Sequence, residues 1–276
     1  MEKLQAALAR AREKRENDGR PVRRADPAMR KGGRHAAREN EVNERWNALP
    51  IMQPSAKAMS KARIYASKAT SDSQHFDILR TKLLLEMRRN DWVRIAITSA
   101  TPGCGKTTTA CNLIAGLGRQ PEIRGMLFDL DFRRPSVAKL FGVQPKNSLE
   151  DVLNGNVAFA DHAMRLHDNT CVSMTPREVS DPAQLILSSG TTEFFDIVQD
   201  DYRPQLMLFD TPPVLVSDET RGFLRHVDAV VIVAAAETTT VAQVDEVERE
   251  VAQYTNVAGV VLNKCRYMEE NYGYSY

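Results

Sequence analysis

Residues 100–107 read Ala-Thr-Pro-Gly-Cys-Gly-Lys-Thr: an Ala or Gly, four free positions, then Gly-Lys and a hydroxyl residue. Average residue usage produces that pattern by chance in roughly one chain in fifty of this length, so its flanks decide its meaning. An apolar run, Trp-Val-Arg-Ile-Ala-Ile, precedes it over 92–97 and reads as a buried strand. The segment 107–117, Thr-Thr-Thr-Ala-Cys-Asn-Leu-Ile-Ala-Gly-Leu, follows it and reads as a helix. A strand, a glycine-bearing turn and a helix N-terminus in that order form an anion cradle. Gly103 and Gly105 let backbone N–H groups turn inward where a side chain would collide. Lys106 adds a mobile positive charge for phosphate, and Thr107 offers a hydroxyl to a divalent cation.

Around this loop the chain alternates. Strands are predicted over 94–98, 125–130, 170–174, 205–210, 229–234 and 257–263. Helical patterns lie at 73–89, 106–117, 136–140, 183–188, 192–200, 218–224 and 240–253. The strand candidates are nearly unbroken Val, Ile, Leu and Met, as expected when both faces of a sheet are covered. The alternation therefore predicts an α/β fold, a mostly parallel sheet with helices on both faces. Residues 1–60 read differently, as a basic, flexible arm with few large apolar residues. Its first fifty positions hold thirteen Arg or Lys against eight Asp or Glu, a net charge of about +5. A charged helix over 2–16 and a tether to anionic lipid or an acidic partner are the readings it supports. The expected division is an arm at 1–60, a nucleotide-binding domain at 61–264 and a mobile tail at 265–276.

Composition narrows the class. The chain of 276 residues has a net charge of +1, which gives no nucleic-acid or membrane signal, and no nucleic-acid partner is expected. No apolar run approaches the length of a membrane span, and the charged N-terminus is not a secretory signal. Cys104, Cys111, Cys171 and Cys265 form no Cys-x-x-C pair, so no structural zinc is expected. A cytoplasmic location follows.

Two carboxylate clusters close predicted strands. One is Asp129-Leu130-Asp131-Phe132-Arg133-Arg134-Pro135, whose aspartates face the same way in an extended segment. The other is Asp210-Thr211-Pro212-Pro213, after an apolar run. Strand C-termini line the ligand crevice of a parallel α/β sheet, so both clusters should converge on the phosphate loop and hold Mg²⁺ there. At the far end, Tyr267, Tyr272, Tyr274 and Tyr276 crowd the last ten residues, four of the seven tyrosines in the chain. The segment is short and polar, and Glu269 and Glu270 add to its solvation.

Together these motifs resemble the bacterial tyrosine kinase family, the autokinases of capsule and exopolysaccharide synthesis, which share a MinD/ParA-like P-loop NTPase fold. The resemblance runs from about Asp72 to the C-terminus. It includes the segment 98–108, the Asp-x-Asp-x-Arg-Arg-Pro cluster, Leu140-Phe141-Gly142, residues 149–155, Asp181-Pro182-Ala183-Gln184-Leu185 and residues 259–264. It implies ATP and Mg²⁺ as cofactors. Thr101, Pro102, Gly103, Cys104, Gly105, Lys106, Thr107, Thr108, Arg133 and Asn263 would hold the nucleotide. Thr107, Asp129, Asp131 and Asp210 would hold the metal. Lys106, Asp129, Asp131 and Asp210 would carry catalysis, with Asp131 as the base. The C-terminal tyrosines would be phosphoacceptors, modified largely between neighbouring copies. The implied partners are other copies of the chain, a transmembrane polysaccharide co-polymerase acting as adaptor, and a phosphotyrosine phosphatase. The implied location is the inner face of the plasma membrane.

Two departures accompany the resemblance. The family's E-x-x-R-x-x-R assembly motif is replaced by Gln74, Asp77 and Arg80, so only the last arginine matches. No membrane-spanning adaptor is fused to the chain, so a separate one is expected. Two other readings compete: a MinD/ParA-type ATPase switch and a non-catalytic nucleotide-binding scaffold. The switch proteins carry a signature lysine early in the loop, where this chain has Thr101.

Overall fold

The structure, a computed structural model, describes residues 27–265, with side chains described from residue 38. By internal contacts the chain divides into residues 1–41 and 42–276. The described part of the first unit is the beginning of helix α1 (Pro27–Ala48).

The second unit is built on one sheet. In chain order it contains α2 (Ala56–Lys61), α3 (Gln74–Asn90), β1 (Arg94–Thr98), α4 (Lys106–Leu117), β2 (Gly125–Asp129), α5 (Val137–Phe141), α6 (Leu149–Leu153), α7 (Phe159–His162), β3 (Met164–His167) and β4 (Thr170–Ser173). It continues with α8 (Pro182–Ile186), α9 (Ser189–Tyr202), β5 (Leu206–Asp210), α10 (Asp218–Phe223), β6 (Ala229–Ala235), α11 (Val241–Val251) and β7 (Asn256–Asn263). The strand order is β3-β4-β2-β5-β1-β6-β7, and every pairing is parallel except β3 with β4. All six strands expected from the apolar runs are present. Strand β3 escaped the reading because Met-Arg-Leu-His is short and only half-buried, as an edge strand permits.

The apolar residues sort to the two faces of the sheet. One face is aromatic: Phe128 stacks on Phe209 at 5.2 Å, and Phe195 meets both rings edge-on at 5.1 and 5.0 Å. The other is aliphatic and clusters Ile95, Ile97 and Leu208 of the sheet with Leu113 and Ile114 of α4. Burial on both faces is why these strands tolerate no alternation.

The arm expected over 1–60 ends earlier. Val42, Trp46 and Leu49 are buried in the aromatic core, and the Trp46 indole donates to the Tyr202 carbonyl at 2.8 Å. Residues 50–52 run beside β3, with Met52 N donating to the Arg165 carbonyl and Arg165 N to the Pro50 carbonyl. Buried Asn112 of α4 ties down the chain at 63–66 by accepting from Tyr65 N and Ala66 N and donating to the Arg63 carbonyl. Sparse apolar residues hid this attachment, because a single tryptophan anchors a whole turn of helix. The proposed charged helix at 2–16 lies outside the described residues.

Arg80, the one match to the assembly motif, turns inward. It is buried and donates to Asp77 at 2.8 Å and to the Gly116 carbonyl of α4 at 2.9 Å. Asp77 also accepts from Arg119 at 2.5 Å. These groups knit α3 to α4.

Candidate nucleotide site

The parallel register brings the strand ends together. Asp129 of β2 lies beside Asp210 of β5, and Ile97 of β1 lies on the other side of Asp210. The loop 99–105 leaves β1 at the same level. Gly103 and Gly105 adopt φ of +83° and +97°, the left-handed region that side chains disfavour. A Cβ on Gly105 would also run into the Asn263 amide.

A cleft of about 510 Å³ opens over the loop. Its walls include Pro102, Gly103, Gly105, Lys106, Thr107 and Thr108, with Asp131, Arg133, Arg134 and Ser136 opposite. The Lys106 side chain is buried, with Nζ 3.8 Å from Asp131 Oδ2. The Thr107 hydroxyl donates to Asp210 Oδ2 at 2.6 Å, and the Ser136 hydroxyl lies 3.2 Å from it. Asp129 Oδ2 accepts from Val137 N at 3.1 Å. The remaining oxygens, Asp129 Oδ1 and Asp210 Oδ1, are buried without a hydrogen-bond partner among the described residues.

That arrangement is electrostatically incomplete. Burial pushes the Asp210 carboxyl up to about 7, against the pull of Lys106 and the Thr107 hydroxyl. Burial, reinforced by Asp210, pushes Asp129 well above the ordinary carboxylate range. Burial also raises Asp131, with Lys106 opposing. Two adjacent buried carboxylates with an orphaned oxygen each are a hard, oxygen-only donor set, which fits Mg²⁺ or a similar cation. Thr107 fits the same role, since a hydroxyl can offer a lone pair to a metal while its proton is donated to Asp210.

Four expected nucleotide ligands stand differently. Cys104 is buried, with Sγ turned to the Thr101 carbonyl at 3.2 Å, so only its backbone serves the cradle. Asn263 does not line the cleft. Its amide donates to the Cys104 carbonyl at 2.8 Å and so latches the end of β7 to the loop. Arg133 lines the cleft but is bound to Glu219 at 2.5 Å. Thr101 is half-buried, and its carbonyl accepts from the Ser99 hydroxyl at 2.7 Å. Sequence reasoning missed Glu219 and Ser136, which carry no motif of their own, and gave Lys264 no role within the 259–264 match. The acceptor tyrosines Tyr267, Tyr272, Tyr274 and Tyr276 lie outside the described residues.

A phosphate loop, a buried carboxylate pair and a parallel sheet define a P-loop nucleotide-binding domain. The chain belongs to the CobQ/CobB/MinD/ParA nucleotide binding domain family, whose profile matches residues 95–272. Within that breadth it is similar to proteins named provisionally as tyrosine-protein kinases. It is 29% identical over 199 residues to AmsA of Erwinia amylovora, covering 71% of this chain and 27% of AmsA. It is 30% identical over 202 residues to EpsB of Ralstonia solanacearum, covering 71% of this chain and 26% of EpsB. The chain thus spans about a quarter of the length of these two relatives. Among solved structures, the VpsO kinase domain superposes with a TM-score of 0.62 at 27% identity, over 72% of this chain and 100% of that one. The resemblance to bacterial tyrosine kinases read from the motifs is borne out by these relatives, as is the α/β fold. Among the described residues, no helix is long and apolar enough to cross a membrane.

Proposed function

We propose that this chain is an ATP- and Mg²⁺-dependent protein-tyrosine autokinase. It phosphorylates Tyr267, Tyr272, Tyr274 and Tyr276 of a neighbouring copy and regulates capsule or exopolysaccharide synthesis and export. The observation that carries the reading is Asp131. It lines the cleft, lies 3.8 Å from the phosphate-loop lysine, and is raised above its ordinary pKa by burial. The names of the relatives and the tyrosine cluster beyond β7 support the same reading.

A phenol has a pKa near 10, so full ionisation at pH 7 costs about 4 kcal/mol. A positioned carboxylate instead takes the proton during transfer. Asp131 fills that role. Lys106 and the loop N–H groups hold the phosphate oxygens as charge builds on them. Mg²⁺, held by Thr107, Asp129 and Asp210 and completed by Asp131, would neutralise phosphate charge and align the transferred group. Pro102 and Gly103 shape the loop for the nucleotide. A separate transmembrane co-polymerase serves as adaptor at the inner face of the membrane, and a phosphotyrosine phosphatase reverses the modification.

The test is incubation of the purified chain with Mg²⁺ and ATP, with and without the adaptor's cytoplasmic tail, and phosphate mapping by mass spectrometry. Phosphotyrosine at the four C-terminal positions, lost in Lys106→Met, is the expected result. ATP hydrolysis without phosphotyrosine would instead establish an ATPase switch. Nucleotide binding with neither activity would establish a scaffold.

A further inference from the structure

Glu219 sits in the first turn of α10 with its side chain 1% exposed, yet its ion-pair partner Arg133 has a side chain 58% exposed. Burying a carboxylate costs several kcal/mol unless it is paired. A pair serving only the core would hide both halves. Here the carboxylate is buried in the scaffold and the guanidinium stands in the cleft. Arg133 Nε donates to Oε1 at 2.5 Å and Nη2 to Oε2 at 3.4 Å, so one edge of the fork is engaged. Nη1 has no partner among the described residues. A guanidinium can engage a carboxylate along each of two edges, and the Nη1–Nη2 edge is the one left over.

Around it the cleft is basic, with exposed Arg134 and Lys264 also lining its walls. The segment carrying the candidate acceptors begins directly after Lys264. It reads Tyr267-Met268-Glu269-Glu270-Asn271-Tyr272, and no Lys or Arg follows Arg266. Two carboxylates therefore lie within three residues of each of two tyrosines. The charges of tail and cleft are complementary, while Lys106 and the loop amides already supply the phosphate-binding groups.

We propose that Arg133, pinned by buried Glu219, reads the acidic residues beside the acceptor tyrosine in the tail presented by a second copy of this chain. The proposal rests on the kinase reading and adds to it the residue that selects the acceptor. Arg133 is then a specificity residue and Glu219 a positioning residue that fixes the fork before the acceptor arrives.

The experiment uses the full chain with its four C-terminal tyrosines changed to Phe, which leaves an added peptide as the measured acceptor. The peptide spans residues 266–276, native or with Glu269→Gln and Glu270→Gln. Initial phosphorylation rates are measured at saturating Mg²⁺ and ATP, and peptide affinity is read by fluorescence anisotropy with a non-hydrolysable ATP analogue. The expected result is a peptide KM and Kd roughly tenfold higher for the Gln peptide, a ratio that falls to about one in Arg133→Ala. Equal KM and Kd for the two peptides on the parent chain would overturn the proposal. So would a tenfold ratio that survives in Arg133→Ala, which would make Arg133 a phosphate ligand. Arg133→Lys keeps the charge without the fork and supplies the same comparison if the alanine variant does not fold. Binding discrimination without phosphate transfer would sink the kinase reading and leave the recognition standing; absence of both would sink the two together.

Discussion

Two sets of carboxylates in this domain are treated in opposite ways. Asp77 and Glu219 are met by arginines: Asp77 by Arg80 and Arg119, Glu219 by Arg133. Asp129 and Asp210 lie side by side at the foot of the cleft, each with an orphaned oxygen. The first set is complete within the chain and holds structure together. The second is complete only when a cation arrives. Arginine hydrogen bonds outweigh burial and hold Asp77 and Glu219 below their ordinary pKa, whereas burial prevails at Asp129 and Asp210 and raises them. A fold that leaves like charges buried and unpaired gives up stability at that place, and ligand binding can return it.

The largest effect expected from breaking this contrast is at the cleft. Asp210→Asn should lower tyrosine phosphorylation by on the order of 10²–10³-fold, since it removes a charge aimed at the metal site. The same variant should unfold at a slightly higher temperature than the parent without nucleotide, because a neutral amide replaces a buried charge. A phosphotyrosine assay beside a thermal melt reads both, and a destabilised variant would contradict the account.

Arg80→Ala tests the complete set. It takes a donor from half-buried Asp77 and another from the buried Gly116 carbonyl. The expected loss is about 2–3 kcal/mol in urea unfolding, with nucleotide affinity retained.

The pH dependence separates the two sets on one axis. Asp129 and Asp210 have raised folded pKa values, so their contribution is fully present below pH 4 and is lost as pH rises, for Asp210 through about 7. Asp77 and Glu219 have lowered values, so theirs is present above the unfolded pKa and lost as pH falls below about 4. Burial also depresses His162 to about 4, which removes stability as pH falls from about 6.5 toward 4. Melting temperature without ligand should therefore peak in mildly acid solution and decline toward pH 8. Mg²⁺ with ADP should remove the alkaline decline, and a decline unaffected by them would break the comparison.

Arg133→Ala should give the smallest change, about 1–2 kcal/mol, because the hydrogen bonds that Glu219 also receives from its own backbone N–H and from Ser217 remain to hold the carboxylate. Differential scanning calorimetry measures it.

Much of the site was legible before any coordinates. The phosphate loop, the helix behind it and the aspartates ending β2 and β5 are local patterns, and each strand ending on an aspartate points to the sheet's C-terminal edge. Less legible were the anchoring of residues 42–66, which depends on Trp46 and Asn112 finding partners far along the chain, and the role of Asn263. Its residue type suits a base contact, but its amide is used on the loop. Arg80 likewise resembles part of an assembly motif and serves the interior.

The chain by itself determined where the anion cradle lies, which segments become strands, and which residue types stand at their ends. Short-range spacing encodes those features, because backbone geometry repeats every two or 3.6 residues. Only the tertiary structure decided which charges are paired and which are left for a ligand. Arg133 meets Glu219 across 86 positions, and Asn263 meets the loop across 159. Strand order sets those meetings by laying β5 between β1 and β2 and so placing Asp210 beside Asp129.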